Sequence, residues 1–269
     1  MDEQFMFGDG AMTAVRPMLE AVVFDAGGTL VRMDYEWIAD MLGELGVGAT
    51  VEQVRHGEVH GRRRYDAAAG ARPNTPALGL HPPLGSIAPT RAYFSGMLEA
   101  VGCRHPVLEE ALERMKQQQL PPSLLWSRPM EGARHALDAL AAMGVRMCCV
   151  SNSDGRAEQH LVTTGNRDGL EFVIDSQIEG VEKPDPRIFA IALDRMHVAA
   201  ERAVYVGDIR SVDAAGARGA GMHFVLIDPY GDYAAPDQLS VRRLEELPAL
   251  LASRFTLVTA RKGSDAAHS

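Results

Sequence analysis

The stretch VVFDAGGTLV (residues 22–31) decides how this chain folds. A β-branched apolar run ends in Asp25, and Gly27, Gly28 and Thr29 follow within four residues. An unbroken apolar run of this kind predicts a strand covered on both faces, as in a parallel sheet. The glycines after it allow a tight turn whose backbone N–H groups can face an anion. A strand that ends on a carboxylate beside such a turn is built to present that carboxylate to a ligand.

Four further runs have the same character: VRMCCVSN (145–152), EFVIDS (171–176), AVYVGD (203–208) and MHFVLID (222–228). Helical patterns separate them. EGARHALDALAAMG (131–144) carries apolar residues at helical spacing and ends on glycine, and DPRIFAIALDRMH (185–197) has proline in its first turn. SVDAAGARGAG (211–221) is a small-residue helix that can lie close to a sheet. This alternation predicts an α/β fold with a Rossmann-like, doubly wound parallel sheet.

The interval 34–123 shows no strand pattern but four helical ones, DYEWIADMLGELG, VEQVRHGEVHGRRR, RAYFSGMLEAVG and PVLEEALERMKQQQ, with a Pro/Gly-rich loop between the second and third. It is expected to be an α-helical cap inserted after the first strand. The expected organisation is an N-terminal arm (1–17), a core made of 18–33 and 124–255, the cap (34–123) and a C-terminal tail (256–269). LSVRRLEELPALLASRF predicts a last helix.

Composition narrows the function. A net charge of −9 repels phosphate backbones and anionic membranes, so neither nucleic acid nor a membrane surface is the expected partner. No run approaches the ~18 apolar residues that span a bilayer. The three cysteines, Cys103, Cys148 and Cys149, make neither a disulfide framework nor a metal-ligand spacing. With no signal-peptide pattern at the start, the expected compartment is the cytoplasm.

In a parallel sheet, ligands bind beyond the carboxyl ends of the strands. Those ends carry Asp25 with Thr29, Ser151 with Asn152, and Asp208 with Asp213 close behind; Lys183 lies in the loop EGVEKPDP. Three carboxylates at one edge repel unless a cation neutralises them, and all-oxygen donors favour a hard ion, Mg²⁺ by default. Lys183 can offset the charge of a phosphate. Thr29, Ser151 and backbone N–H groups can hold its oxygens. Taken singly, each residue has a duller reading as a helix cap, turn former or solvated charge. The cluster GRRRY (61–65) reads as a solvated helix face, with recognition of a second substrate anion as the alternative.

FDAGGTL, VSNS, EKPDP and VGDIRSVDAAGARGAGM, in this order, resemble the four motifs of the haloacid dehalogenase superfamily. The resemblance implies a phosphatase-type hydrolase of a small phosphorylated substrate. Asp25 would attack phosphorus and form an aspartyl-phosphate, with Lys183 steadying both charges. Thr29, Ser151 and Asn152 would bind the phosphoryl group, and Mg²⁺ would be held by Asp25, the carbonyl of Gly27, Asp208 and Asp213.

The sequence departs from the family at Gly27, where an acid/base aspartate usually stands. Such groups contribute typically 10²–10⁴-fold, so proton transfer should be weak and good leaving groups favoured. His56, His60 and His81 are the candidate substitutes within the cap. A binding or regulatory protein that keeps the fold is the alternative reading. A metal-free dehalogenase conflicts with the retained Asp208. A phosphonate hydrolase with a cap lysine would have only Lys116 to use.

Overall fold

The computed structural model describes residues 16–70, 88–121 and 123–258. Residues 1–15, 71–87 with His81 and the Pro/Gly-rich stretch, and 259–269 lie outside the described residues.

The first described elements are β1 (Met18–Leu19), β2 (Ala21–Phe24) and β3 (Val31–Met33). Four helices follow: α1 (Tyr35–Glu44), α2 (Val51–Gly70), α3 (Ala88–Ala100) and α4 (Val107–Gln119). It returns through β4 (Trp126–Pro129), α5 (Ala133–Ala142), β5 (Arg146–Ser151), α6 (Ala157–Thr163), β6 (Val173–Asp175), α7 (Ser176–Glu179) and α8 (Pro186–Met196). The last elements are β7 (Ala203–Gly207), α9 (Ala215–Gly219), β8 (His223–Ile227), β9 (Ser240–Val241), α10 (Leu247–Arg254) and β10 (Thr256–Leu257).

Six strands form one parallel sheet in the order β6-β5-β2-β7-β8-β9. The opening stretch supplies its centre: Ala21 pairs with Arg146 on one side and Ala203 on the other. All four residues of β2 are buried, as its apolar run requires. Side-chain alternation sends Val22 and Phe24 into one core layer, with Leu137, Leu140 and Leu251 of α5 and α10. Ala21 and Val23 enter the opposite layer, with Ile188, Phe189 and Ala217 of α8 and α9. Cys148 and Cys149 divide between these layers as small buried apolar residues and are free thiols.

Helices α1–α4 pack a third apolar cluster around Ile38, Leu42, Met97 and Leu98. The sequence did not disclose the two-stranded antiparallel ribbon of β3 with β4, through which the chain enters and leaves this helical cap. Asp34 marks the junction, capping α1 by accepting from the Trp37 N–H. Residues 256–257, placed in the tail by sequence, pair in parallel with β1. Among the described residues no helix is long and apolar enough to cross a membrane.

Candidate active site

The carboxyl ends of β2, β5 and β7 converge on one edge of the sheet, and the sequence-selected residues arrive there by topology. Asp25, Ser151 and Asp208 are all buried. The Lys183 ammonium lies between two of the acids: Nζ is 2.7 Å from Asp25 Oδ1 and 2.8 Å from Asp213 Oδ1. Its third donor goes to the Tyr205 hydroxyl at 2.8 Å, which in turn donates to the Val150 carbonyl. Every proton of the ammonium therefore has a partner, as a buried charge requires.

Two glycines make this clustering sterically possible. A Cβ on Gly207 would lie 2.5 Å from Asp213 Cγ, so the glycine leaves room for that carboxylate. Asp213 Oδ2 accepts from the Asp208 N–H at 3.0 Å and the Ile209 N–H at 2.9 Å, which fixes the turn after β7. Gly28, at φ +76°, adopts a backbone conformation that favours glycine, and a Cβ there would lie 2.2 Å from Asp208 Oδ2.

Burial drives the electrostatics. It pushes the Asp25 carboxyl up to about 6, with nearby Lys183 opposing the shift and Asp213 reinforcing it. Burial likewise raises Asp208 well above the usual carboxylate range, against the pull of Arg62. For Lys183, burial acts downward, but Asp213 and Asp25 outweigh it and the ammonium is held more firmly than in water.

Asp25, Asp208 and Asp213 can each offer one carboxylate oxygen such that all three lie within 4.8 Å of one another. Hard oxygen donors this close together, in a cradle that a Cβ at Gly28 would fill, fit a small divalent cation such as Mg²⁺. Two hydrogen bonds to Asp25, from Lys183 and from the Ala26 N–H at 2.7 Å, converge on Oδ1.

The remaining candidates divide. Thr29 is fully buried, and its hydroxyl has no hydrogen-bond partner. Asn152 clamps the lysine loop: its Nδ2 donates to the Lys183 carbonyl at 2.9 Å, and its Oδ1 accepts from the Lys183 N–H at 2.8 Å. His56 and His60 are exposed on α2, and the His56 ring lies tilted against Tyr230. Lys116 is on α4, paired with Glu113 at 3.3 Å.

Sequence reasoning missed three residues. Tyr205 sits mid-strand in β7, where alternation turns it to the α8 side beneath Lys183. Trp126 covers Gly27: a Cβ there would meet the six-membered ring of the indole at 3.5 Å. The third is Arg62. The cluster GRRRY is not one solvated face, because Arg63 and Arg64 are exposed whereas Arg62 is buried, with Nε 3.1 Å from Asp208 Oδ2. The signal was in the register, since Arg62 stands eight residues after buried Val54 and four after Glu58, on the inward face of α2.

Comparison with known proteins agrees with this geometry. A family model described as hydrolase, haloacid dehalogenase-like hydrolase, matches residues 19–221. Haloacid dehalogenase-like hydrolase domain-containing protein 3 of Mus musculus is 40% identical over 98 residues, which is 36% of this chain and 39% of that protein. Glyceraldehyde 3-phosphate phosphatase of Pyrococcus furiosus is 33% identical over 129 residues, 46% of this chain and 53% of that one. These matches thus take in between two-fifths and about half of the curated relatives' length. Among solved structures, a dehalogenase with an intermediate complex superposes with a TM-score of 0.59 at 23% identity, covering 88% of this chain and 98% of that one. At that identity it speaks for the fold alone.

Proposed function

Because the chain belongs to the haloacid dehalogenase-like hydrolase family, we propose that it is a Mg²⁺-dependent phosphohydrolase working through an aspartyl-phosphate on Asp25. One observation carries this reading: a single buried ammonium bridges Asp25 and Asp213 while Asp208 stands within metal-sharing distance of both. Asp25, Asp208 and Asp213, with the Gly27 carbonyl, are the groups that would hold the ion. When bound, it supplies positive charge against the phosphoryl oxygens.

The chain's own groups account for the rest. Lys183 and the Ala26 N–H hold the Asp25 carboxylate through Oδ1, one oxygen of this carboxylate attacks phosphorus in line, and the bond to the leaving oxygen breaks. Lys183 steadies the charge as it moves from carboxylate to phosphoryl group. Ser151 orients the phosphate oxygens, whereas the Gly28 and Thr29 N–H groups of the turn are already given to the Val31 and Ala26 carbonyls. The segment 34–123 acts as a cap that excludes water and selects the substrate. The substrate class is a small phosphorylated molecule, in keeping with the phosphatase named among the relatives.

Gly27 brings no acid to the departing oxygen, and Trp126 covers that position with a ring that cannot transfer a proton. Leaving groups that depart without protonation are therefore preferred. Phosphate release from acetyl phosphate and from a sugar phosphate, each with Mg²⁺ and with EDTA, tests this beside Asp25→Asn. Release should require both metal and Asp25 and be faster from acetyl phosphate. Equal rates on the two substrates would sink the account of Gly27. Release that survives Asp25→Asn would sink the aspartyl-phosphate.

A further inference from the structure

We infer that Arg62 is a tethered cation that competes with the divalent metal for Asp208, so that metal affinity is set from the helical cap. The inference rests on the metal site assigned above and concerns its control. Its starting point is a pairing that hydrolysis alone does not call for: a buried arginine of α2 lies against a carboxylate otherwise suited to a metal.

The contact is held in place on purpose-built partners. Glu58, one turn earlier on α2, lies 3.5 Å from the Arg62 guanidinium and is itself buried. Its carboxylate accepts from the Tyr35 hydroxyl at 2.5 Å and from the Tyr93 hydroxyl. Arg62 Nη1 also donates to the Ile227 carbonyl at 3.2 Å, which anchors the side chain to the end of β8. A buried charge with this many partners is positioned rather than stranded.

The contact with Asp208 itself is different in kind. Arg62 Nε approaches the carboxylate at 3.1 Å, yet makes no hydrogen bond to it. It is an ionic approach without alignment, and such a contact is the one most readily exchanged for a better cation. The other two acids of the cluster are served by Lys183, which leaves Asp208 as the carboxylate whose counter-ion comes from the cap. A metal ion on Asp208 would stand within a few ångströms of the guanidinium, and two cations at that separation repel strongly in a buried site. Metal binding therefore loosens α2, and docked α2 weakens metal binding; the coupling is reciprocal.

Docking of α2 against the core is extensive enough to report this coupling. Asp66 accepts from the Ser211 N–H at 2.9 Å and from the Tyr233 hydroxyl at 2.6 Å, so one helix touches the loops after both β7 and β8.

The experiment is calorimetric titration of Mg²⁺ into the intact chain, without substrate, for the wild type, Arg62→Gln and Arg63→Gln. Arg62→Gln should bind Mg²⁺ about tenfold more tightly or better. Arg63→Gln removes an exposed neighbouring charge and should stay within about twofold, which separates the contact from bulk charge. Equal or weaker binding by Arg62→Gln overturns the inference. Hydrogen exchange on the wild type needs no variant to fold: Mg²⁺ should speed exchange in α2, and slower exchange would overturn the inference independently. If the wild type and both variants fail to bind Mg²⁺, the metal assignment falls with it. If the affinity shift appears but no phosphate ester is hydrolysed, only the phosphatase reading falls.

Discussion

Gly207 carries no side chain because the Asp213 carboxylate occupies the space one would take. Gly207→Ala must push Asp213 off the Asp208 and Ile209 N–H groups, and such overpacking costs about 1–3 kcal/mol. Urea unfolding should show that loss, and Mg²⁺ binding should weaken along with it. Wild-type stability in Gly207→Ala would mean that the turn tolerates a displaced Asp213. Gly27 presents the opposite case, because a Cβ there makes only ordinary contact with Trp126. Gly27→Ala should fold normally, whereas Gly27→Asp must find room for a carboxylate beside the indole. We expect Gly27→Asp to raise sugar-phosphate turnover only when Trp126 is shortened as well, and rate measurements on the single and double variants check this. A full gain in the single variant would show that the ring moves aside freely.

Among the elements, α2 carries the most consequence. Its Gly57 and Gly61, four residues apart, lie where α3 crosses: added Cβ atoms would stand 2.8 Å from the Met97 carbonyl and 2.6 Å from the Tyr93 carbonyl. The close crossing brings Tyr93 within reach of Glu58, and thereby steadies Arg62. Gly61→Ala should force the helices apart and lower the unfolding free energy by about 1–3 kcal/mol despite the better helix propensity of alanine. Thermal melts decide it, and a higher Tm in Gly61→Ala would show that the crossing has slack. Both glycines stood in the sequence, but a helical pattern alone does not say which neighbour approaches so closely.

For the whole molecule, the pH dependence of stability is the accessible observable. His160 on α6 is buried, and burial, helped by Arg156, lowers its pKa below the ordinary 6.5. Its Nε2 has no hydrogen-bond partner. Above 6.5 both folded and unfolded chains hold this imidazole neutral, and its contribution to stability is fully present. As pH falls below 6.5 the unfolded chain takes up a proton that the folded one refuses, so that contribution is lost down to the lowered folded value. Wild type should therefore lose more stability than His160→Leu between pH 7.5 and 5.5. Parallel losses in urea titrations at the two pH values would exclude His160 as a source.

Local sequence determined the elements and much of the edge they build. Continuous apolar runs can be satisfied only as strands covered on both faces, so five of the six central strands and the acids at their carboxyl ends were legible from VVFDAGGTLV and the four runs after it, whereas β9 lies in LSVRRLEELPALLASRF, which reads as helix. The helical cap was equally legible, because it shows 3.6-residue periodicity and no strand pattern. The ribbon of β3 with β4 was not, since three or four residues carry too little pattern to distinguish a strand from a turn. Tertiary structure alone decided which charges meet. Arg62, Arg63 and Arg64 are chemically alike and adjacent, yet helix register buries only the first against Asp208. Trp126 and Gly27 are 99 positions apart along the chain and are neighbours only because the chain returns from the cap beside the strand it left. Burial and distance set the strength of a charge or the reach of a side chain, and both exist only once the chain has packed.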